Sequence, residues 1–129
     1  NGWQGTWVYT VYPYWHFHTK GHEVLSCVAG SATIGFGGDD GLVVDVRVGD
    51  VAVVPAGVGH KRLSASPGFQ MAGGYPPGQH GDIVRPKDLA DDELTARLAK
   101  VALPASDPVI GQAAGIVEIW RSVAAMQPG

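Results

Sequence analysis

Glycine and proline cut the first 75 residues into short pieces, and nearly every piece is rich in valine, isoleucine or aromatic residues. The chain carries 19 glycines and 9 prolines. Inside a helix these residues cost about 1 and about 3 kcal/mol each, so such pieces are poor helices. Short β-branched and aromatic runs between Gly/Pro turns predict an all-β sandwich or barrel. Trp3 to Tyr12 reads as a first strand, with Trp7, Tyr9 and Val11 in alternation. Tyr14 to His18 is a short extended piece after Pro13, and Thr19-Lys20-Gly21 is a turn. Glu23 to Ala29 is an apolar strand that stops at Gly30, and Ser31 to Phe36 follows it. The run Gly37-Gly38-Asp39-Asp40-Gly41 makes a hairpin loop. Leu42 to Val48, Val51 to Val54, Lys61 to Ser64 and Phe69 to Tyr75 complete the series. About eight strands by Tyr75 fit an antiparallel jelly roll.

The pattern then changes. Leu94, Leu98 and Val101 recur at helical spacing, and Asp88, Asp91, Asp92 and Glu93 crowd the start, where the helix dipole favours them. A helix is predicted over Asp88 to Ala102, stopped by Pro104. Ile116 to Arg121 reads as a final strand returning to the barrel. No internal repeat occurs, so residues 1–129 are expected to form one barrel domain with its core over about 3–75.

Charge and composition exclude several partners. The net charge is −3 and the 9 Lys and Arg residues form no basic run, which argues against nucleic acid. No apolar stretch approaches the roughly 20 residues of a membrane span, and no signal-peptide pattern opens the chain. The first residue is asparagine rather than methionine, which leaves room for a preceding segment. A single cysteine, Cys27, rules out an internal disulfide framework and leans towards a reducing, cytoplasmic setting.

Four of the 5 histidines stand in two short blocks, His16-Phe17-His18 through His22-Glu23 and Pro55-Ala56-Gly57-Val58-Gly59-His60. Residues two apart on a strand share a face, so His16 and His18 can aim at one point inside a barrel. Glu23 follows a tight turn and can return from the neighbouring strand. Three imidazoles and a carboxylate suit a divalent transition metal. His22 competes with Glu23 for the fourth place. An unpaired buried carboxylate on so apolar a strand is costly without a cation, which favours Glu23.

The two blocks resemble the paired motifs of the cupins. The first cupin motif is His-x-His, three or four residues, Glu, six residues, Gly; here His16, His18, Glu23 and Gly30 fill it. The second is matched by Gly49, Pro55, Gly57 and His60, with Ser64 where Asn is usual. The leading glycine that often precedes the first motif is absent from Val11 to Trp15. The motifs cover residues 16 to 64, and the strand pattern extends the likeness to about 3 to 75. The chain is similar to small single-domain bacterial cupins of unassigned function.

The resemblance implies a double-stranded β-helix barrel holding one divalent metal (Mn, Fe, Ni, Co or Zn) on His16, His18, Glu23 and His60. Four protein ligands on an octahedral ion would leave two positions for a small-molecule substrate, water or oxygen. The implied activity is metal-dependent small-molecule chemistry, with a dioxygenase first and an isomerase or decarboxylase also suited. The rival is a metal-binding or ligand-sensing module without turnover. Small cupins commonly pair, so a homodimer is expected.

His22 and Tyr14 are the acid–base candidates, against an outer-face position for His22 and core packing for the tyrosine. Tyr12 and Tyr14 share parity with the ligands and are expected at the pocket; Trp15 and Phe17 should face away. Cys27 shares parity with Glu23 and Leu25 and reads as a small buried residue. His80 lies in a Gly/Pro-rich surface loop, from which Tyr75 and Gln79 are in reach of the site. The Gly-rich stretch at 35–38 does not lead from a strand into a helix, so it is no phosphate cradle.

Overall fold

Alternation along the strand from Glu23 to Ala29 sets the barrel's inside and outside. Glu23, Leu25 and Cys27 are buried, while Val24, Ser26 and Val28 are more open. The computed structural model describes residues 2–104, 107–109 and 116. Seven strands precede the helical region: β1 (Gln4–Tyr9), β2 (Glu23–Ala29), β3 (Ser31–Phe36), β4 (Leu42–Arg47), β5 (Val51–Val54), β6 (His60–Ala65) and β7 (Gln70–Tyr75). They form two antiparallel sheets, ordered β1-β7-β2-β5 and β4-β3-β6.

The chain crosses between the sheets at short turns, as a jelly roll requires. Gly30 alone joins β2 in one sheet to β3 in the other, with φ at +70°. A Cβ there would sit 2.7 Å from Ser66 Oγ and 2.9 Å from Phe69 Cα, so both the conformation and the space call for glycine. The Pro55–Gly59 turn carries the chain from β5 back to the second sheet. Its Gly57 N–H donates to the His18 carbonyl at 2.7 Å, which ties the turn to the first histidine block.

Leu25, Cys27, Ile34, Val46, Val54 and Met71 fill the space between the sheets. Full burial of a side chain such as Leu25 or Ile34 stabilises the fold by about 1.5–3 kcal/mol. The free Cys27 thiol lies in this core and points at the Ala29 and Gly30 carbonyls. Trp7 pairs directly with Gly73, and its indole lies across the bare glycine backbone; a Cβ on Gly73 would fall 2.2 Å from the ring.

β2, β3 and β5 have the limits expected from the sequence. The first strand is shorter than expected, Gln4–Tyr9, and its register slips between Gln4 and Trp7. Residues 14–18 form no strand but two single bridges, His16 with His60 and Phe17 with Val84. This segment alternates between two partners and so builds no ladder. The helix is also shorter, α1 (Asp91–Leu98), behind a separate 3-10 turn over Pro86–Asp88. The Asp88 carboxylate accepts from the Arg85 N–H in that turn, and Leu89 and Ala90 are extended between the two elements. The acidic residue read as a helix start therefore closes a different turn. The strand expected over Ile116–Arg121 lies outside the described residues except for Ile116, whose backbone is helical. Among the described residues no helix is long and apolar enough to cross a membrane.

Candidate metal centre

His16, His18 and His60 meet at one end of the barrel, all buried. Backbone pairing brings them together: the His16 N–H donates to the His60 carbonyl at 3.3 Å, and the His60 N–H donates back at 2.9 Å. One potential ligand atom from each of the three rings lies within 4.8 Å of the others. Glu23, at the start of β2, points into the same space. Its Oε1 is 3.1 Å from His18 Nε2 and 3.3 Å from His60 Nε2.

The other ring nitrogens decide how these imidazoles are oriented. His16 Nδ1 faces the Tyr14 carbonyl at 3.0 Å, His18 Nδ1 the Asp82 carbonyl at 2.5 Å, and His60 Nδ1 the Val58 carbonyl at 3.2 Å. A carbonyl only accepts, so each Nδ1 carries the proton and each neutral ring turns a bare Nε2 lone pair inward. Those lone pairs converge on one another, and those of His18 and His60 also face a carboxylate oxygen. Acceptors facing acceptors in a buried space repel unless a cation sits among them. Protons answer this only in part. Burial and the neighbouring His60 push His16 down to about 4. Burial opposes a charge on His18 as well, but the hydrogen bond and charge of Glu23 together with the Asp82 contacts outweigh this and raise it. Burial acts to raise the Glu23 carboxyl, yet the His18 and His60 contacts hold it at about 2. The donor set therefore fits a divalent ion, with three imidazole nitrogens and one carboxylate.

Tyr75 and Trp7 fix Glu23 from behind. The Tyr75 hydroxyl donates to Glu23 Oε2 at 2.8 Å and accepts from Trp7 Nε1 at 3.1 Å. Gly81 lies against that hydroxyl; a Cβ on Gly81 would sit 2.2 Å from it. One carboxylate oxygen is thus occupied by Tyr75 and the other left to the histidines. Burial and the adjacent Glu23 charge push the Tyr75 phenol up, so it remains a donor. Asp82 holds the loop behind His18. Its carboxylate accepts from the backbone N–H of Thr19 at 2.7 Å, from Lys20 N–H at 3.1 Å and from the Thr19 hydroxyl.

A cavity of about 340 Å³ opens over the cluster. Trp7, Tyr12, Tyr75, Val11, Leu25 and Ile83 line it beside the cluster. Tyr12 reaches the pocket as its parity implied, and Trp15 turns away to donate to Asp39 at 2.8 Å. Tyr14 does not line the cavity: its ring stacks on Tyr12, with the Arg85 guanidinium 3.9 Å from its centroid. Its contribution to the site is its carbonyl, which orients His16. His22 also lies outside. It is buried rather than on the outer face, with Nδ1 accepting from the Ala56 N–H at 2.9 Å and Nε2 donating to the Ala102 carbonyl at 3.1 Å. Gln79 shares this junction, bonding the His22 N–H and the Ala102 carbonyl. Both acid–base candidates therefore lie outside the pocket lining. Trp7 and Asp82 escaped the reading from sequence. A half-buried indole N–H needs an acceptor, which is a usable signal for Trp7. Asp82 becomes informative only once its loop is placed behind His18.

No family model matches the chain. Over 120 residues it is 42% identical to the uncharacterized protein YjlB of Bacillus subtilis, covering 93% of this chain and 73% of that one. Among solved structures, an uncharacterized conserved protein with a double-stranded β-helix domain from Klebsiella pneumoniae is 23% identical. That match has a TM-score of 0.47 and covers 61% of this chain and 69% of the other. An oxalate decarboxylase is 22% identical with a TM-score of 0.50, over 74% of this chain and 28% of that larger one. The last comparison agrees with the fold described above.

Proposed function

We infer that the chain, which belongs to one family with YjlB of Bacillus subtilis and has the double-stranded β-helix fold of the cupins, binds one divalent transition metal on His16, His18, Glu23 and His60 and uses it on a small molecule. The observation that carries this reading is the set of three Nδ1–H to carbonyl contacts, which leave three Nε2 lone pairs facing one another, two of them beside Glu23 Oε1. Manganese, iron, nickel, cobalt and zinc all accept such a donor set. A bound ion there would supply Lewis acidity and, if redox-active, the capacity to activate dioxygen.

The chain's own residues would do the rest. The Tyr14, Asp82 and Val58 carbonyls hold the three rings in the ligating tautomer. Tyr75 holds one oxygen of Glu23 and leaves the other to the ion. Trp7, Tyr12 and Val11 bind the body of the small molecule and keep water from it. A dioxygenase-type reaction remains the leading class, with isomerisation or decarboxylation at the same site as its neighbours. A binding or sensing module is favoured by one observation: the Tyr75 hydroxyl, beside the cluster, is already engaged by Glu23 and Trp7. The exposed Leu42 and Val43 on edge strand β4 support pairing with a second copy.

Elemental analysis of purified wild-type protein and His60→Ala, followed by oxygen consumption with a panel of small acids, thiols and enols, tests the reading. Near-stoichiometric metal in the wild type and its loss in the variant are expected. Equal background metal in both refutes it. Bound metal without turnover on any compound moves the assignment to the sensing module.

A further inference from the structure

The cavity wall narrows what this site accepts. Trp7, Tyr12 and Tyr75 present aromatic surface, and Val11 and Leu25 close the inner end. At about 340 Å³ the space suits a compact molecule, near the lower end for ligand pockets. Glu23 is the one Asp, Glu, Lys or Arg among the described wall residues. With a divalent ion on the ligand set, the site therefore carries a net charge of about +1. One negative charge on the ligand neutralises it. A second would lie against apolar and aromatic walls with no cation beside it, at a substantial desolvation cost.

Two hydroxyls of the wall and the two nearby arginines are already engaged. The Tyr75 hydroxyl serves Glu23 and Trp7, and the Thr10 hydroxyl accepts from Arg62 at 2.9 Å. The Arg85 guanidinium lies over Tyr14, and neither arginine forms part of the wall. Flat aromatic surfaces favour a flat, conjugated ligand body.

Building on the metal site inferred above, we propose that the pocket takes a small planar oxygen chelator carrying one negative charge, of the enolised 1,3-dicarbonyl kind, in preference to a dicarboxylate. The charge count sets the single charge, the walls set the planar body, and the cavity sets the size.

Cobalt(II)-loaded protein titrated with pentane-2,4-dione or with oxalate tests this. The readouts are the cobalt visible spectrum and tryptophan fluorescence, with cobalt content measured in parallel. The dione is expected to bind at least about tenfold more tightly than oxalate. Ile83, on the wall and 49% exposed, has room for a lysine side chain. Ile83→Lys adds the missing cation and should move the preference about tenfold towards oxalate. Oxalate binding as tightly as the dione to the wild type, or a dione that perturbs neither spectrum nor fluorescence, overturns the proposal and leaves the metal site standing. Failure of cobalt to load overturns the metal site and this inference together.

Discussion

Replacing Tyr75 by phenylalanine removes one oxygen and tests the support of the carboxylate. That hydroxyl donates to Glu23 Oε2 at 2.8 Å and accepts from Trp7 Nε1 at 3.1 Å. Glu23 is 2% exposed, so water does not replace the lost donor without rearrangement. A hydrogen bond to a charged group contributes about 1.5–3 kcal/mol. The bond exists without metal, so chemical denaturation of the metal-free variant should show a loss of that order. A carboxylate freed at one oxygen also samples orientations that do not ligate, and loss of such outer contacts typically weakens metal binding about 10–100-fold. Competition against a chelator of known affinity measures this second effect. Gly81→Ala supplies an independent control. Its new methyl would press on the Tyr75 hydroxyl without removing it, and it should weaken metal binding in the same direction. Unchanged metal affinity in folded Tyr75→Phe, together with unchanged stability, would refute the role given to this contact.

Metal binding should strengthen as pH rises from 5 to 7. His18 is raised above its ordinary value, so protons compete with the ion for it over this range, whereas His16, at about 4, is already neutral. Isothermal titration in buffers of different ionisation enthalpy should then show a net release of protons on ion binding that shrinks as pH rises. In the metal-free protein His16 acts on stability as well. Its folded value lies below the ordinary 6.5, so the unfolded chain takes up the proton first, and stability falls as pH drops from 6.5 towards 4. His18 has the opposite sign and offsets part of this: its contribution is full below 6.5 and is lost as pH rises through its raised value. His22→Ala should leave metal stoichiometry unchanged while destabilising the fold by about 1–2 kcal/mol, because the half-buried Ala56 N–H loses its acceptor and the Ala102 carbonyl is left with Gln79 alone; thermal unfolding and elemental analysis check the two halves.

Strand parity carried much of the legible structure. Glu23, Leu25 and Cys27 share a face by period two, and the structure buries all three. Gly30 and the Pro55–Gly59 turn were readable because each redirects the chain through chemistry local to those residues. His16 and His18 were readable for a different reason, since two imidazoles two residues apart have few structural uses. The errors arose where the deciding partner is distant. Asp88 looks like the start of a helix until Arg85 takes its carboxylate. Tyr14 has the parity of a ligand neighbour, but Tyr12 and Arg85 hold its ring away from the pocket. His22 lies next to a ligand in sequence, yet its ring is captured by Ala56 and Ala102. The Trp7–Tyr75–Glu23 chain depends on β1, β7 and β2 lying side by side. No local pattern in any one of those strands specifies that order.

The central claim is that one ion sits among His16, His18, Glu23 and His60. Crystals grown with manganese and measured at a wavelength where manganese scatters anomalously test it most directly. The account predicts one strong anomalous peak per chain, within about 2.0–2.3 Å of the three Nε2 atoms and of Glu23 Oε1. An empty cluster in fully manganese-equilibrated crystals, or a peak ligated by His22 in place of Glu23, would contradict it.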